Sequence, residues 1–75
     1  MASRLPSLRP SQVVRALEKD GWEVDRQSGS HVVLVKPGHS AIVVVPMHRR
    51  DIPRGTLRGI LKDAGLSQED FRKLL

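Results

Sequence analysis

The stretch WEVDRQSGSHVVLVKPGHSAIVVV, residues 22–45, decides the fold because it divides into three short segments typical of β-strands. The first alternates in side-chain character, and the other two are rich in valine, as expected for strands. The predicted strands are Trp22–Gln27, Ser30–Lys36 and Ser40–Val45. Turn residues at Ser28-Gly29 and Pro37-Gly38 separate them. Because both connections are short, the sequence predicts an antiparallel meander.

The segment ahead of these strands predicts one amphipathic helix, Pro10–Asp20. Its apolar side chains recur at helical spacing, and Gly21 is the residue type that commonly follows a helix end. The residues before it, Met1–Leu8, are interrupted by Pro6. Proline opposes regular structure, so we expect an extended N-terminal arm there.

Two further helices follow the strands. One begins at about Pro53 or Arg54 and ends at Ala64, with apolar residues at helical spacing. Ser67 predicts the N-cap of a short last helix that carries Phe71. The order α-β-β-β-α, with a short extra C-terminal helix, predicts an α+β fold with helices on one face of a three-stranded antiparallel sheet.

Length and composition set the outer limits. A chain of 75 residues forms a single domain, residues 1–75, with room for one small core. Cysteine is absent, which excludes disulfides and thiolate nucleophiles. With no apolar run near the roughly 20 residues of a membrane span and no signal-peptide pattern, we expect a cytoplasmic protein without a membrane partner. The net charge of +5 favours an acidic partner such as nucleic acid.

His31 is the candidate for chemistry because it directly follows a flexible turn and opens a strand. Gly29 lets the backbone approach a phosphate, and Ser30 offers a hydrogen bond. RNA supplies its own nucleophile, the ribose 2′-hydroxyl, so a protein that cleaves it must move protons and stabilise negative charge. By residue type alone, a strand histidine that packs or caps a turn is the commoner case.

Other polar and basic residues are candidates for RNA contact. The full set is Arg26, Ser28, Gly29, Ser30, Lys36, His48, Arg49, Arg50, Arg54, Arg58 and Lys62. His48 is a candidate for phosphate contact or proton transfer, with a solvated loop histidine as the alternative. The last three recur every fourth residue along the second long helix, a spacing that suits a phosphate backbone but is more often a helix's solvent-facing side.

The histidines carry no metal-binding pattern. His31, His39 and His48 lie on separate segments without the spacing of a metal site, so we expect no metal ion and no cofactor. His39, in a predicted turn, is expected to be structural or incidental.

Four short segments occur in a characteristic order. They are DGW at 20–22, RQSGSH at 26–31, VVPMH at 44–48 and GTLRGILKDAGL at 55–66. Together they resemble the HicA family of bacterial and archaeal toxin–antitoxin systems, over residues 8–75. Trp22 stands where the family usually has Phe or Tyr, and Arg9 stands where a Ser or Thr N-cap often precedes the first helix.

The resemblance implies both a fold and an activity. HicA-like toxins have a fold similar to the double-stranded-RNA-binding domain, and they cleave mRNA without a metal ion, which arrests translation. The histidine of the family's catalytic Gly-Ser-His motif is His31 here, as general acid or base. The implied partner is a HicB-type antitoxin that covers the active site, and DNA is implied only indirectly, through the antitoxin complex. The second and third predicted strands are apolar on both faces, and such a partner would also cover the face that the helices leave open.

Two alternatives stay open. A non-catalytic RNA- or DNA-binding module of the same fold would bind in a salt-sensitive manner and give no product. A pure interaction domain would dock an acidic protein on its basic face and would bind RNA negligibly.

Overall fold

The computed structural model describes residues 5–75, in which the helices and strands follow one another in the order α-β-β-β-α-α. Their bounds are α1 Pro10–Lys19, β1 Glu23–Ser28, β2 His31–Val35, β3 Val43–Pro46, α2 Arg54–Ala64 and α3 Gln68–Arg72. The strands form one antiparallel sheet in the order β1-β2-β3. Both long helices pack on the same face of it. The predicted α+β fold, similar to the double-stranded-RNA-binding domain, is confirmed.

The core fills the space between the sheet and the two long helices. Its largest fully buried side chains are Trp22, Phe71, Leu17, Leu34, Leu57, Val13, Val43 and Val45. Alternate residues of β2 and β3 supply the sheet's share, as the two-residue period of a strand requires. Removing a buried leucine such as Leu34 would cost about 2–5 kcal/mol of stability.

Residues 5–9 run along this core in no regular element. Leu5 and Leu8 are buried, and the Leu8 carbonyl accepts a hydrogen bond from the Ile52 amide at 2.8 Å. Of the predicted arm Met1–Leu8, residues 1–4 lie outside the part of the chain that the structure describes. The chain therefore enters α1 from a segment that is packed against the domain.

The start of α1 lacks a Ser or Thr cap, and a glutamine compensates in part. The amide of Arg9 donates to Oε1 of Gln12 at 2.8 Å, which is one half of a capping box. In the other half of a capping box, the N-cap side chain accepts a hydrogen bond from an amide of the first turn. Arginine has no side-chain oxygen to accept it, so the Arg9 side chain does not cap these amides.

The ends of α2 and the start of α3 are as predicted. Gly65 follows α2 in the left-handed conformation, with φ at 71°. The hydroxyl of Ser67 accepts a hydrogen bond from the amide of Asp70 at 3.0 Å, which caps α3.

The largest boundary difference concerns β3, which begins at Val43 rather than at the predicted Ser40. The chain first completes a turn at Gly38, where φ is 80°, and then packs His39 against Trp22. The chain meets β2 only after this turn, and the ladder between the two strands begins with the pair Leu34 and Val43.

The predicted alternation of the first strand is wrong at Asp25. The register between β1 and β2 shifts there, so that Val24 pairs with Leu34 but Arg26 pairs with Val33. One extra residue in a strand is a β-bulge, which reverses the facing of the residues that follow it. The bulge places Arg26 on the face of the sheet opposite the helices.

The described helices are shorter than a membrane span. α2 has 11 residues, against the roughly 20 that a membrane span needs. Within residues 5–75, no helix combines the length and the apolar character required to cross a membrane.

Candidate active site

The face of the sheet opposite the helices carries the residues that the sequence singles out for chemistry. Directly paired residues of antiparallel strands point to the same face. Across the strands, one row is Ser28, His31 and Pro46, and the next row is Arg26, Val33 and Val44. We call these six residues the open face. It combines an imidazole, a guanidinium and an apolar surface.

His31 occupies the first position of β2, and its side chain is exposed. It follows a two-residue turn, Gly29-Ser30, in which Gly29 has a φ of 59°. Glycine at the first position is typical of tight two-residue hairpin turns. The turn lies one residue later than predicted because Ser28 belongs to β1, where it pairs with His31. The hairpin thus fixes the imidazole at the end of the sheet.

A second loop is fastened to this turn. The amide of Met47, directly after β3, donates a hydrogen bond to the carbonyl oxygen of Ser30. The next residue, His48, comes to lie beside His31, with 6.4 Å between the ring centres and 78° between the ring planes. Two histidines from separate segments therefore share one site.

A cleft of about 430 Å³ lies on the His48 side of this site. It is lined by Arg9, Pro10, Ser11, Met47, His48 and Arg49. The first turn of α1 contains no acidic residue, and a helix N-terminus carries a partial positive charge. Two arginines, an imidazole and the helix end give the cleft the electrostatics of an anion site.

Most of the residues that build this site lie within a stretch that matches a known sequence family. The sequence model of the HicA toxin family of bacterial toxin–antitoxin systems matches residues 10–66. The chain belongs to the HicA toxin family. The matched range begins with α1, ends just after α2 and includes both His31 and His48. No curated protein matches the sequence. Membership of the HicA family implies a toxin that acts within a toxin–antitoxin system and has a HicB-type antitoxin as its partner.

Two of the predicted RNA contacts of this HicA toxin are ion-paired, one on a strand and one directly after a strand. Arg26 is on the open face, where its guanidinium contacts the Asp25 carboxylate at 2.8 Å with both groups well exposed. Such a pair contributes at most about 1 kcal/mol, so Arg26 is free to exchange it for a phosphate. Lys36 contacts Asp20 at 3.1 Å and lies 6.0 Å from the Trp22 ring centre. It follows the far end of β2, about 16 Å from His31 along the strand.

The basic residues of α2 are not brought to His31. Arg54, Arg58 and Lys62 are exposed on the helix, whose apolar side packs against the core face of the sheet. The sheet thus separates them from the open face. Arg50 is exposed in the loop between β3 and α2.

His39 of the HicA toxin occupies a structural position. Its ring meets the Trp22 indole edge-on, with 4.9 Å between ring centres, and its Nε2 donates to the Asp63 carbonyl at 3.2 Å. These contacts join the turn before β3 to the end of α2, in agreement with the structural role expected for it.

Carboxylates do not gather around the histidines as metal sites require. Among residues 5–75, no three His, Asp or Glu side chains lie close enough together to hold a metal ion.

Two features of the site are not indicated by the sequence. One is the position of Arg9 in the cleft, since the sequence identifies this residue only as a helix cap, and the other is the contact between His31 and His48. The pairing of His31 with Pro46, two residues before His48, is the signal that would have revealed that contact, because paired residues lie about 5 Å apart.

Proposed function

We propose that this HicA toxin is a metal-independent endoribonuclease that cleaves mRNA and so arrests translation, with His31 as a general acid or base. The observation that carries the proposal is the placement of His31. A tight turn holds it, exposed, at the end of β2, and His48 beside it lines a positively charged cleft. An imidazole in that setting can reach a phosphodiester and exchange a proton with it.

The reaction is open to side chains alone because RNA brings its own nucleophile. The ribose 2′-hydroxyl attacks the adjacent phosphorus, and the enzyme removes its proton, stabilises the charge that develops on the phosphoryl oxygens and protonates the leaving oxygen. Positively charged donors aimed at those oxygens commonly supply the largest part of such catalysis. Arg9 and Arg49, which line the cleft, are placed to do so.

The RNA contacts divide into a near and a far group. We assign contacts around the scissile phosphate to Arg26, Ser28, Gly29, Ser30, His48, Arg49 and Arg50. The turn offers backbone groups and hydroxyls, and the arginines offer bidentate phosphate contacts. Lys36, Arg54, Arg58 and Lys62 would contact more distant parts of the RNA. Single-turnover cleavage by saturating protein should depend on the near group, and overall affinity on both.

We also propose that the antitoxin covers the open face. Val44 is 38 % exposed there, and Ile42, just before β3, is 49 % exposed. Apolar side chains next to a catalytic group favour a protein partner that buries both. The net charge of +5 favours an acidic one. DNA would then be reached only through the antitoxin complex.

The test is cleavage of a long mRNA in EDTA by the purified chain and by His31→Ala, with folding checked by circular dichroism. The parent should yield fragments, and the variant should be about 10²–10⁴-fold slower. His39→Gln is the matched control, since it removes a histidine outside the site and should cleave at the parent's rate per folded molecule.

Two results would contradict the proposal. Full cleavage by His31→Ala would remove that residue from the chemistry. Tight binding of RNA by the parent without any fragments would identify a nucleic-acid-binding module instead.

A further inference from the structure

We propose that His48 is the second proton-transfer group of this site and acts with His31 on opposite sides of one phosphodiester. The inference rests on the proposed ribonuclease function and deepens it, because the sequence leaves His48 open between phosphate contact, proton transfer and a solvated loop histidine. Its basis is the 6.4 Å between the two ring centres and the backbone contacts that hold them there.

The reaction needs two proton transfers in one displacement. As the 2′-oxygen bonds to phosphorus, its proton passes to a free imidazole. As the bond from phosphorus to the 5′-oxygen breaks, that oxygen takes a proton from an imidazolium. The products are one RNA ending in a 2′,3′-cyclic phosphate and one beginning with a 5′-hydroxyl. One histidine has gained a proton and the other has lost one, and exchange with water restores both.

The geometry of the displacement calls for one group on each side. The entering and leaving oxygens lie roughly in line through phosphorus, so the base and the acid face each other across the phosphate. A proton-transfer group must come within about 2.6–3.2 Å of its oxygen, and phosphorus lies between the two oxygens, so the two imidazole nitrogens that serve them stand more than about 6 Å apart. The ring centres are 6.4 Å apart in the structure, so the two side chains must turn away from each other to admit a phosphate. Rotation of the side chains alone then puts one phosphate within reach of both rings.

Two backbone contacts fix the pair before RNA arrives. His31 pairs with Pro46 across β2 and β3, and the Met47 amide is bonded to the Ser30 carbonyl. The residues that carry the rings are thus held by the ends of neighbouring strands, and only the side chains need to rotate onto a substrate.

The other charged groups facing the pair are unsuited to proton exchange. Arg26 faces it from β1, Arg9 from the N-cap position before α1 and Arg49 from the loop of His48 itself. A guanidinium stays protonated in proteins, so arginine stabilises charge but does not act as a base. Asp25, on the bulge, is paired with Arg26. Among these groups His48 is the one whose side chain belongs to the type that enzymes use most often as a general acid or base.

The experiment compares the parent, His31→Gln, His48→Gln and His39→Gln on an RNA oligonucleotide that spans a mapped cleavage site. Single-turnover rates are measured with saturating protein in EDTA across the pH range, after each variant is shown to be folded by circular dichroism. The parent should give a bell-shaped profile, because one group must be free and the other protonated. His48→Gln should lose one limb of the profile and about 10²–10⁴-fold in rate. His39→Gln should keep both limbs.

A second substrate separates the two roles. When sulfur replaces the 5′-bridging oxygen, the leaving group departs without a proton, so the variant that lacks the acid regains its rate. We expect this substrate to rescue one of the variants, His31→Gln or His48→Gln, and to leave the other slow. Rescue of both, or of neither, would overturn the division of roles.

The outcomes also separate this inference from the proposed function. If His31→Gln loses cleavage but His48→Gln keeps the parent's rate and both limbs with weaker binding only, His48 is a phosphate contact and the inference is wrong. If the parent gives no fragments, the ribonuclease function fails and the inference fails with it.

Discussion

The amide of Met47 donates a hydrogen bond to the carbonyl oxygen of Ser30, and this contact joins the loop after β3 to the turn before β2. The two segments are distant in the sequence, yet Ser30 and Met47 each directly precede one histidine of the candidate site. The two imidazoles are therefore positioned by backbone, at the one end of the sheet where β2 begins and β3 finishes.

Met47→Pro tests this contact, because proline has no amide hydrogen to donate. Losing one hydrogen bond should lower the free energy of unfolding by about 1 kcal/mol. Misplacing His48 by about 1 Å should slow single-turnover cleavage by about 10²-fold. Met47→Leu keeps the donor and the apolar contact with the core, so it should behave as the parent. Equal rates for the proline and leucine variants would show that this hydrogen bond does not position the site.

The elements themselves were predictable because their signals are local. Alternation, helical spacing and the turn residues Gly29, Gly38 and Gly65 act within a few neighbours of each residue, and the predicted helices and strands are present. His31 was singled out for the same reason, since its turn and its strand are adjacent in the sequence.

The assembly of the site was not predictable in the same way. The approach of His48 to His31 depends on the register of β2 against β3, and the contribution of Arg9 depends on how α1 meets the loop after β3. The bulge at Asp25 decides which face Arg26 joins. Each is a contact between distant segments, which side-chain periodicity does not encode.

His39→Ala should destabilise the fold without affecting the chemistry. The substitution removes the edge-on contact with Trp22 and the hydrogen bond to the Asp63 carbonyl. An aromatic pair and a hydrogen bond each contribute about 1 kcal/mol, so we expect a loss of about 2 kcal/mol. His39→Gln retains an amide donor and should lose less. Urea unfolding followed by the fluorescence of Trp22, the single tryptophan, measures both. A larger loss for the glutamine variant would contradict the assigned hydrogen bond.

Two glycines of one helix should respond to alanine with opposite signs. Gly59 is inside α2 with open space where a Cβ would lie, so Gly59→Ala should raise stability by about 0.5–1 kcal/mol. Gly65 ends the helix with φ at 71°, a conformation that costs a residue with a side chain about 1–2 kcal/mol. Gly65→Ala should therefore lower stability. Thermal unfolding of the two variants beside the parent gives both signs, and stabilisation by Gly65→Ala would be inconsistent with the left-handed cap.

Val44→Lys tests whether the antitoxin covers the open face. Val44 is 38 % exposed and lies in the row next to His31, so an antitoxin seated over the histidine would have to bury the new ammonium group where it had packed against an apolar side chain. Burying a charge at an apolar contact is costly, and a loss of 1.4 kcal/mol already means tenfold weaker binding. We expect inhibition of cleavage by the HicB-type antitoxin to weaken by at least about tenfold while cleavage itself persists. Thr56→Lys adds the same charge to the exposed surface of α2, on the other side of the sheet, and should be inhibited as the parent is. If both variants are inhibited equally well, the antitoxin silences the toxin from another surface.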